Sequence, residues 1–336
     1  MKEEDNRAFL TRDNLHLSRP TNSVFVPSPF AGMQAASIEC HDADVEQYVR
    51  HSLSPNTQRA YLADLAHFQK CGGRVPASPN DVASYVAAHA EVLSIATLVR
   101  RLATISKAHA VGDLPNPCRT EIVRATLRGI KRMRGSAQRQ AKPLLREELS
   151  LVIDGLGDGA KDVRDRALLL LGFAGGFRRS ELVGLDWADV ERVRQGLIAT
   201  LKFSKTDQEG AGRKIGIPYG RTRCCPVTAL DAWLALARIE IGPLFRPLDR
   251  HGHIQAGRLS GEAVSLVVRQ RVAAAGIDPS GFSGHSLRAG FVTSATRAGV
   301  PFHKISAQTG HASYAMLSRY IRDGQLFSDN AAAALL

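Results

Sequence analysis

The sequence predicts a mostly α-helical protein of two domains, an all-helical bundle followed by a mixed α+β domain with a small antiparallel sheet. Three observations lead to this class. The chain has 336 residues and 44% of them are hydrophobic, which is enough to build two cores. Apolar residues recur with helical spacing through residues 54–134, and no strand pattern interrupts them. Short strand patterns at 196–203 and 213–218 then lie between further helical segments.

The first domain, expected over residues 41–134, is marked by helix-capping signals. Ser54 and Pro55 begin its first clear helical pattern, because Ser caps free backbone N–H groups and Pro suits the first helical position. A Gly-Gly pair ends that pattern, and a second Ser-Pro pair begins the next one. With two more helical patterns at about 94–110 and 119–134, we expect a small all-helical bundle of four or five helices.

Two segments and a second domain complete the expected organisation. Residues 1–40 mix Pro, Ser, Asn and charged residues without periodicity, which indicates a mobile N-terminal arm. Residues 135–143, GSAQRQAKP, also lack apolar periodicity and are expected to form a basic linker. The second domain is expected over residues 144–336, with helical patterns at about 146–155 and 161–175 before the strands.

Positive charge is concentrated in the second half of the bundle and in the linker. The whole chain has 44 Lys and Arg against 32 Asp and Glu, a formal net charge of +12, which favours a polyanionic partner such as nucleic acid. Between residues 95 and 142, eleven cationic residues stand against two acidic ones, whereas an ordinary solvated helix face mixes the two signs. We expect ten of these residues to contact DNA: Arg100, Arg101, Lys107, Arg124, Arg128, Lys131, Arg132, Arg134, Arg139 and Lys142.

The sequence disfavours secreted and membrane proteins. Its five cysteines show no metal-ligand spacing and fit reduced thiols better than a disulfide framework. The N-terminal stretch MKEEDNRAFL is too acidic and polar for a signal peptide, and the longest apolar run, at 167–177, is too short to span a bilayer. We therefore expect a soluble cytoplasmic protein with no membrane partner, acting on DNA of the nucleoid.

Seven polar residues in the second domain stand out by their type and spacing. His285 and Arg288 are three apart in HSLR, so they share a face if this stretch is helical. Taken singly, each of the seven has an ordinary alternative: an ion pair, a hairpin charge, a solvated helix face or a surface tyrosine. The complete set is Arg178, Glu181, Lys205, His285, Arg288, His311 and Tyr320.

Together and in this order, the seven residues resemble the catalytic set of the tyrosine recombinase, or phage integrase, family. The matching stretches are GFRRSE, SKTDQEGAGRKIGI, HSLR, TGH and RYIR, with His311 and Tyr320 nine residues apart. The resemblance covers about residues 42–325, since NTQRAYLADLAHFQ also looks like the first long helix of the family's core-binding domain. The chain is most similar in organisation to the Cre-like and Xer-like members.

The resemblance implies a site-specific recombinase that cleaves and rejoins double-stranded DNA through a 3′-phosphotyrosyl intermediate. In this family two domains clamp DNA with inverted-repeat half-sites, and a homotetramer exchanges strands through a Holliday junction. The short apolar tail after Tyr320 would then dock on a neighbouring protomer, or else fold back on its own domain. Two rivals stay open: a type IB topoisomerase, which shares the catalytic apparatus, and a non-cutting DNA-binding protein on the same scaffold.

The residue types suit phosphodiester cleavage. A tyrosine phenol is neutral at pH 7, so Tyr320 as a nucleophile needs a cationic environment and a proton acceptor. Guanidinium groups keep their charge and donate in pairs, which suits Arg178 and Arg288 to the nonbridging phosphate oxygens. His285 can donate to the same phosphate or take the tyrosine proton, and His311 can donate a further hydrogen bond.

Glu181 and Lys205 complete the expected chemistry. Glu181 would orient the cationic groups, and Lys205 would protonate the leaving 5′ oxygen, with Lys202 and Lys214 as nearby alternatives. The sequence shows no acidic cluster of the two-metal nuclease kind and no phosphate-binding GxxxxGK[ST] loop. The expected reaction therefore needs no metal and no cofactor.

Overall fold

The described residues of the computed structural model are 52–135, 140–202, 212–220 and 222–311. The expected N-terminal arm and the expected tail helix lie outside these ranges, as do Arg139, Lys205 and Tyr320. Within the described ranges, no helix is both long enough and apolar enough to cross a membrane.

The first of two compact units, Met1–Gln138, is built in its described part from α-helices and one short 3-10 turn, without a strand. Hydroxyl groups cap the first three helices, because the side chains of Ser54, Ser78 and Ser94 accept from the backbone N–H three residues ahead. The two predicted helix starts at Ser-Pro pairs are confirmed. The helices are α1 (Pro55–Lys70), α2 (Pro79–Ala88), α3 (Ile95–Val111) and α4 (Glu121–Arg134).

The core of this unit lies where the apolar faces of the helices meet. Phe68, Leu98 and Ile105 are each at most 1% exposed, and burial of such a side chain stabilises the fold by about 1.5–3 kcal/mol. Val123 and Ile130 are the buried residues of α4 and lie seven apart, two helical turns along one face. The charged residues of α4 are therefore left on its solvent side.

The second unit, Arg139–Leu336, combines α-helices with one antiparallel sheet in its described part. Its helices are α5 (Arg146–Asp154), α6 (Ala160–Ala174), α7 (Arg179–Gly184), α8 (Pro226–Ala237), α9 (Gly261–Ala274), α10 (Ser286–Arg297) and α11 (Phe302–Thr309). The predicted class, mostly helical with a small antiparallel sheet, is confirmed.

Among the residues that the structure describes, the sheet has three strands, whereas the sequence predicts two. The strands β1 (Val190–Val193), β2 (Gly196–Leu201) and β3 (Arg213–Pro218) pair antiparallel in the order β1-β2-β3. The sequence does not indicate β1 because VERV is only four residues long, with its two charged residues exposed at the centre. Arg213, the first residue of β3, pairs with Leu201, the last residue of β2.

Helix α10 is held against the start of the second unit. The Leu144 N–H donates to the Ser286 carbonyl at 3.0 Å, and the Lys142 N–H donates to the Gly281 carbonyl at 2.9 Å. The backbones come so close that a Cβ on Gly290 would lie 1.8 Å from the Leu144 carbonyl oxygen, so only glycine fits there. The last residues of the expected linker are thus paired with the segment that leads into α10.

Candidate active site

Arg288 lies in the first turn of α10 and joins three segments of the second unit. The residue is 1% exposed, and its Nη1 donates to the Gly176 carbonyl at 2.8 Å and to the Thr309 carbonyl at 2.6 Å. Its Nη2 lies 3.1 Å from Nε2 of His311. Gly176 has a positive φ of 56°, which glycine adopts readily, and this turn brings its carbonyl to the guanidinium. The buried cation is therefore held in a fixed direction.

His311 follows α11 and has a definite tautomer. A guanidinium can only donate, so His311 Nε2 accepts from Arg288 and the ring proton lies on Nδ1. Nδ1 is 2.7 Å from Oγ1 of Thr309, and that hydroxyl donates in turn to the Ile305 carbonyl at 2.7 Å. Burial, followed by the charges of Arg288 and Arg178, lowers the pKa of His311 to about 3. The imidazole is neutral at physiological pH.

Arg178 is the N-cap residue of α7 and is paired with Glu181 inside the same turn. The Glu181 Oε2 accepts from the Arg178 backbone N–H at 2.8 Å, and its Oε1 accepts from Arg178 Nη1 at 2.5 Å. The Glu181 side chain is 3% exposed, so its charge depends on these partners. Arg178 Nη2 also lies 3.5 Å from the Gly310 carbonyl, next to His311. The carboxylate therefore orients the guanidinium toward the end of α11.

Arg213 is a further cation beside Glu181 and the end of α11, and it is not among the seven predicted residues. Its Nη2 lies 3.9 Å from Oε2 of Glu181, and its Nη1 donates to the carbonyls of Gln308 at 2.9 Å and Ala307 at 3.2 Å. Burial lowers the pKa of Arg213, and the neighbouring Arg178 acts in the same direction. A signal for it exists in the sequence: it is the inward residue that begins β3, directly after the segment that contains Lys205.

The structure thus brings together four of the seven predicted residues and adds Arg213. We call Arg178, Glu181, Arg213, Arg288 and His311 the arginine cluster. Three guanidinium groups, one buried carboxylate and one neutral imidazole share this small volume, an arrangement that favours a bound dianion or a phosphodiester.

The chain is similar to a known protein family and to individual known proteins. Residues 142–325 match the model of the phage integrase family. The chain is 40% identical over 291 residues to the integrase/recombinase xerD homolog of Selenomonas ruminantium, covering 83% of this chain and 85% of that protein. It is 27% identical over 292 residues to tyrosine recombinase XerD of Mycobacterium leprae (strain TN), covering 79% of this chain and 86% of the relative.

A solved structure of lambda integrase, a tetramer bound to a Holliday junction, has the same fold. The TM-score is 0.58 at 18% sequence identity, over 83% of this chain and 75% of that chain. The chain belongs to the phage integrase family. It is a tyrosine recombinase, an enzyme of site-specific DNA recombination.

Of the three remaining predicted catalytic residues of the recombinase, His285 is the one that lies among the described residues. His285 is the N-cap residue of α10 and is exposed, whereas Arg288, three residues on, is buried. The charge of His285 is one of those that lower the pKa of His311, after burial and the charges of Arg288 and Arg178. Lys205 and Tyr320 lie outside the described residues, and their positions stay predictions.

Helix α4 carries five of the ten predicted DNA contacts, and four of these five are exposed. Arg128 forms an ion pair with Glu121, and Arg134 Nη1 donates to the Leu93 carbonyl at 2.9 Å. In the second unit, Lys142 lies 3.7 Å from Glu148. The exposed cationic residues among the predicted contacts in the described ranges are Arg100, Lys107, Arg124, Arg128, Arg132, Arg134 and Lys142, and Lys131 is half-buried.

Arg101 does not fit the predicted role of a DNA contact. Its side chain is 10% exposed, and Nη1 donates to the Tyr85 hydroxyl at 2.9 Å and lies 2.9 Å from Nδ1 of His67. Its neighbour Arg100 keeps half of its side chain exposed but forms a two-bond pair with the buried Asp64. Consecutive residues of a helix point in different directions, and in α3 Arg101 points into the helical bundle whereas Arg100 points outward.

A cysteine and two histidines meet beside Arg101. Cys71 Sγ lies 3.5 Å from His89 Nε2 and 3.7 Å from His67 Nδ1, a group of ligand types that zinc accepts. Cysteine spacing alone does not indicate it, because His89 comes from another helix end. The Arg101 guanidinium already donates to His67 Nδ1 and would repel a second cation there.

Proposed function

We propose that this recombinase cleaves and rejoins duplex DNA with Tyr320 as the nucleophile and the arginine cluster as the binding site of the scissile phosphate. The observation that supports the proposal is that Arg178 and Arg288, at the starts of two separate helices, converge beside the neutral imidazole of His311 and the buried carboxylate of Glu181. Charge that develops on nonbridging oxygens in the transition state is stabilised by such preorganised donors.

In the proposed reaction, the Tyr320 oxygen attacks phosphorus and the bond from phosphorus to the 5′ oxygen breaks. The phenol proton passes to His285, and Lys205 supplies a proton to the leaving 5′ oxygen. The new 3′-phosphotyrosyl bond keeps the phosphodiester energy, so a 5′ hydroxyl from the partner strand can reverse the step. This scheme uses only side chains and is expected to need no metal.

The contact between Arg288 and His311 suggests how the phosphate is received. In the arrangement described, Arg288 Nη2 is directed at His311 Nε2, so His311 accepts rather than donates. In the role predicted from the sequence, His311 instead donates to a nonbridging oxygen. We propose that the phosphate takes over the Arg288 Nη2 donor and that His311 Nε2 then carries the proton that it donates. Thr309, which accepts from Nδ1 here, would assist the exchange.

The finer organisation of the recombinase is also proposed from the sequence. Residues 41–134 would be the core-binding domain, with the cationic side of α4 on phosphates, and residues 144–336 the catalytic domain after a basic linker at 135–143. Residues 1–40 would be a mobile arm. As lambda integrase forms a tetramer on a Holliday junction, we propose a homotetramer on two inverted-repeat sites, with the tail after Tyr320 docked on the next protomer.

The test is covalent capture on DNA fragments from the neighbourhood of the gene, followed by sequencing of the trapped ends. A recombinase is expected to yield one defined cleavage position flanked by inverted repeats, and recombinant product only when two sites are present. Relaxation of plasmids without any such site would instead favour a type IB topoisomerase activity. Binding without any covalent product would favour a non-cutting protein. The family match favours neither rival.

A further inference from the structure

Arg213 connects the sheet to both sides of the arginine cluster. It begins β3, and from there its Nη1 reaches the carbonyls of Ala307 and Gln308 in the last turn of α11. Its Nη2 lies 3.9 Å from the Glu181 carboxylate that holds Arg178. The Arg213 guanidinium thus contacts the end of α11, just before His311, and it faces the Glu181 carboxylate that orients Arg178.

The fit around Arg213 is close. Gly310, which precedes His311, has a positive φ of 67°. It packs directly against the Arg213 guanidinium, because a Cβ on Gly310 would be 2.6 Å from Nη1 and 2.7 Å from Cζ of Arg213. The Nη2 atom is buried and has no hydrogen-bond partner among the described residues. Such a donor is costly to leave unpaired in the folded state, which indicates a role beyond packing.

Gln308 makes a second tie between the same two elements. Its side-chain amide donates to the Gly216 carbonyl of β3 at 3.2 Å and to the Ala174 carbonyl at 3.0 Å. The end of α11 is therefore docked on β3 by two side chains. Of the two, Arg213 is the one that approaches Glu181, and it brings a positive charge to the cluster.

We propose that Arg213 is a positioning residue for DNA cleavage, which sets the Gly310–His311 turn and the Glu181–Arg178 pair at the spacing that the scissile phosphate requires. This inference rests on the proposed function of the arginine cluster. A displacement of about 1 Å in such a site can reduce the rate roughly 10²-fold. The planar guanidinium donates to two carbonyls and faces a carboxylate 3.9 Å away, whereas a lysine at this place can satisfy only part of that geometry.

The experiment compares Arg213→Gln, Arg213→Lys and the control Arg194→Gln on two substrates. Arg194 is an exposed arginine between β1 and β2, so its loss changes the same net charge without entering the cluster. One substrate is the DNA site identified by covalent capture, with a normal phosphodiester at the cleavage position. The other is the same DNA with a neutral methylphosphonate at that position. Covalent complex formation is measured for each, and thermal unfolding checks the fold.

We expect Arg213→Gln to slow cleavage of the phosphodiester by roughly 10²-fold and cleavage of the methylphosphonate by much less. The neutral linkage depends less on correctly placed cations, so a positioning defect is relieved there. Arg213→Lys should fall between the parent and Arg213→Gln, and Arg194→Gln should match the parent on both substrates.

Three outcomes would overturn the inference. Parental rates for Arg213→Gln would show that the residue has no part in the reaction. Equal losses on both substrates would assign it to general stability of the fold. Failure of the parent chain itself to form any covalent complex would overturn the proposed function, and the inference with it; this outcome is recognised without any Arg213 variant.

Discussion

Arg288 donates from Nη2 to Nε2 of His311 across 3.1 Å, and this one contact fixes the proton of the imidazole on Nδ1. The Nδ1 proton then faces the Thr309 hydroxyl, which itself donates to the Ile305 carbonyl. Every member of this chain of hydrogen bonds has an assigned direction. Removal of any one member should therefore disturb the others.

Thr309→Val is expected to lower the free energy of unfolding by about 1–3 kcal/mol, because it leaves buried hydrogen-bonding groups without their partner. Cleavage should fall roughly tenfold, since the His311 ring loses the contact that orients it. Urea unfolding and covalent complex formation measure the two effects. Thr296→Val is the matched control, because its buried hydroxyl has no hydrogen-bond partner among the described residues and should be lost at little cost. Equal effects of both changes would contradict the account of His311.

The pKa of His311, lowered from 6.5 to about 3, predicts a pH dependence of stability. Above pH 6.5 the imidazole is neutral in both the folded and the unfolded chain, so its contribution to the free energy of unfolding is present in full. As the pH falls from 6.5 toward 3, the His311 imidazole takes up a proton in the unfolded chain but stays neutral in the folded chain. Its contribution to the free energy of unfolding is therefore lost. The melting temperatures of the parent and of His311→Gln should therefore converge between pH 7 and pH 5. Parallel curves would show that His311 titrates normally in the folded state.

Glu181→Gln should separate the capping role of the carboxylate from its role beside Arg178. The amide can still accept from a backbone N–H but no longer balances the guanidinium, so we expect a modest loss of stability and a loss of cleavage of roughly 10²-fold. Glu148→Gln is the matched change, because Glu148 accepts from the Leu145 N–H at 3.0 Å in the same kind of cap on α5. Cleavage should be unaffected by Glu148→Gln. Similar losses of cleavage for both would assign Glu181 to helix capping alone.

Charge removal on α4 should change the salt dependence of DNA binding. Arg124→Gln and Arg132→Gln, both at exposed positions, should each reduce the slope of log K against log salt by about 0.9 if the residue contacts a phosphate. Arg101→Gln should leave that slope unchanged and lower the stability of the first unit, since its guanidinium is bonded inside the bundle. Filter binding on nonspecific duplex DNA over a salt series measures this. A reduced slope for Arg101→Gln would contradict its assignment as a buried residue.

The helical part of the fold could be predicted because its signals are local. Ser54 and Ser78 with the prolines that follow them mark helix starts through hydrogen bonds within one turn. Strand β1 could not be predicted, because four residues carry too little pattern and the strand depends on its pairing with β2. The α+β class of the second domain followed from the two longer strands.

The candidate site could be predicted in residue type but only partly in geometry. Arg178, Arg288 and His311 could be recognised by their order and spacing, although they come from three separate elements. The acceptor role of His311 depends on the approach of the end of α11 to Arg288 of α10, and the contacts of Arg213 depend on the approach of α11 to β3. No local spacing encodes either approach. Arg101 was assigned wrongly to the DNA surface because charge counting does not distinguish the buried side of α3 from the exposed one.

Covalent attachment of DNA by Tyr320 is the central claim, and a comparison of the parent with Tyr320→Phe tests it most directly. Both proteins are incubated with the DNA site identified by covalent capture, then denatured and separated by gel electrophoresis. Their noncovalent affinity for the same DNA is measured in parallel. The account predicts a protein–DNA band for the parent, none for Tyr320→Phe, and nearly equal affinities. A covalent band that persists in Tyr320→Phe would show that another residue attacks the phosphate and would contradict the account.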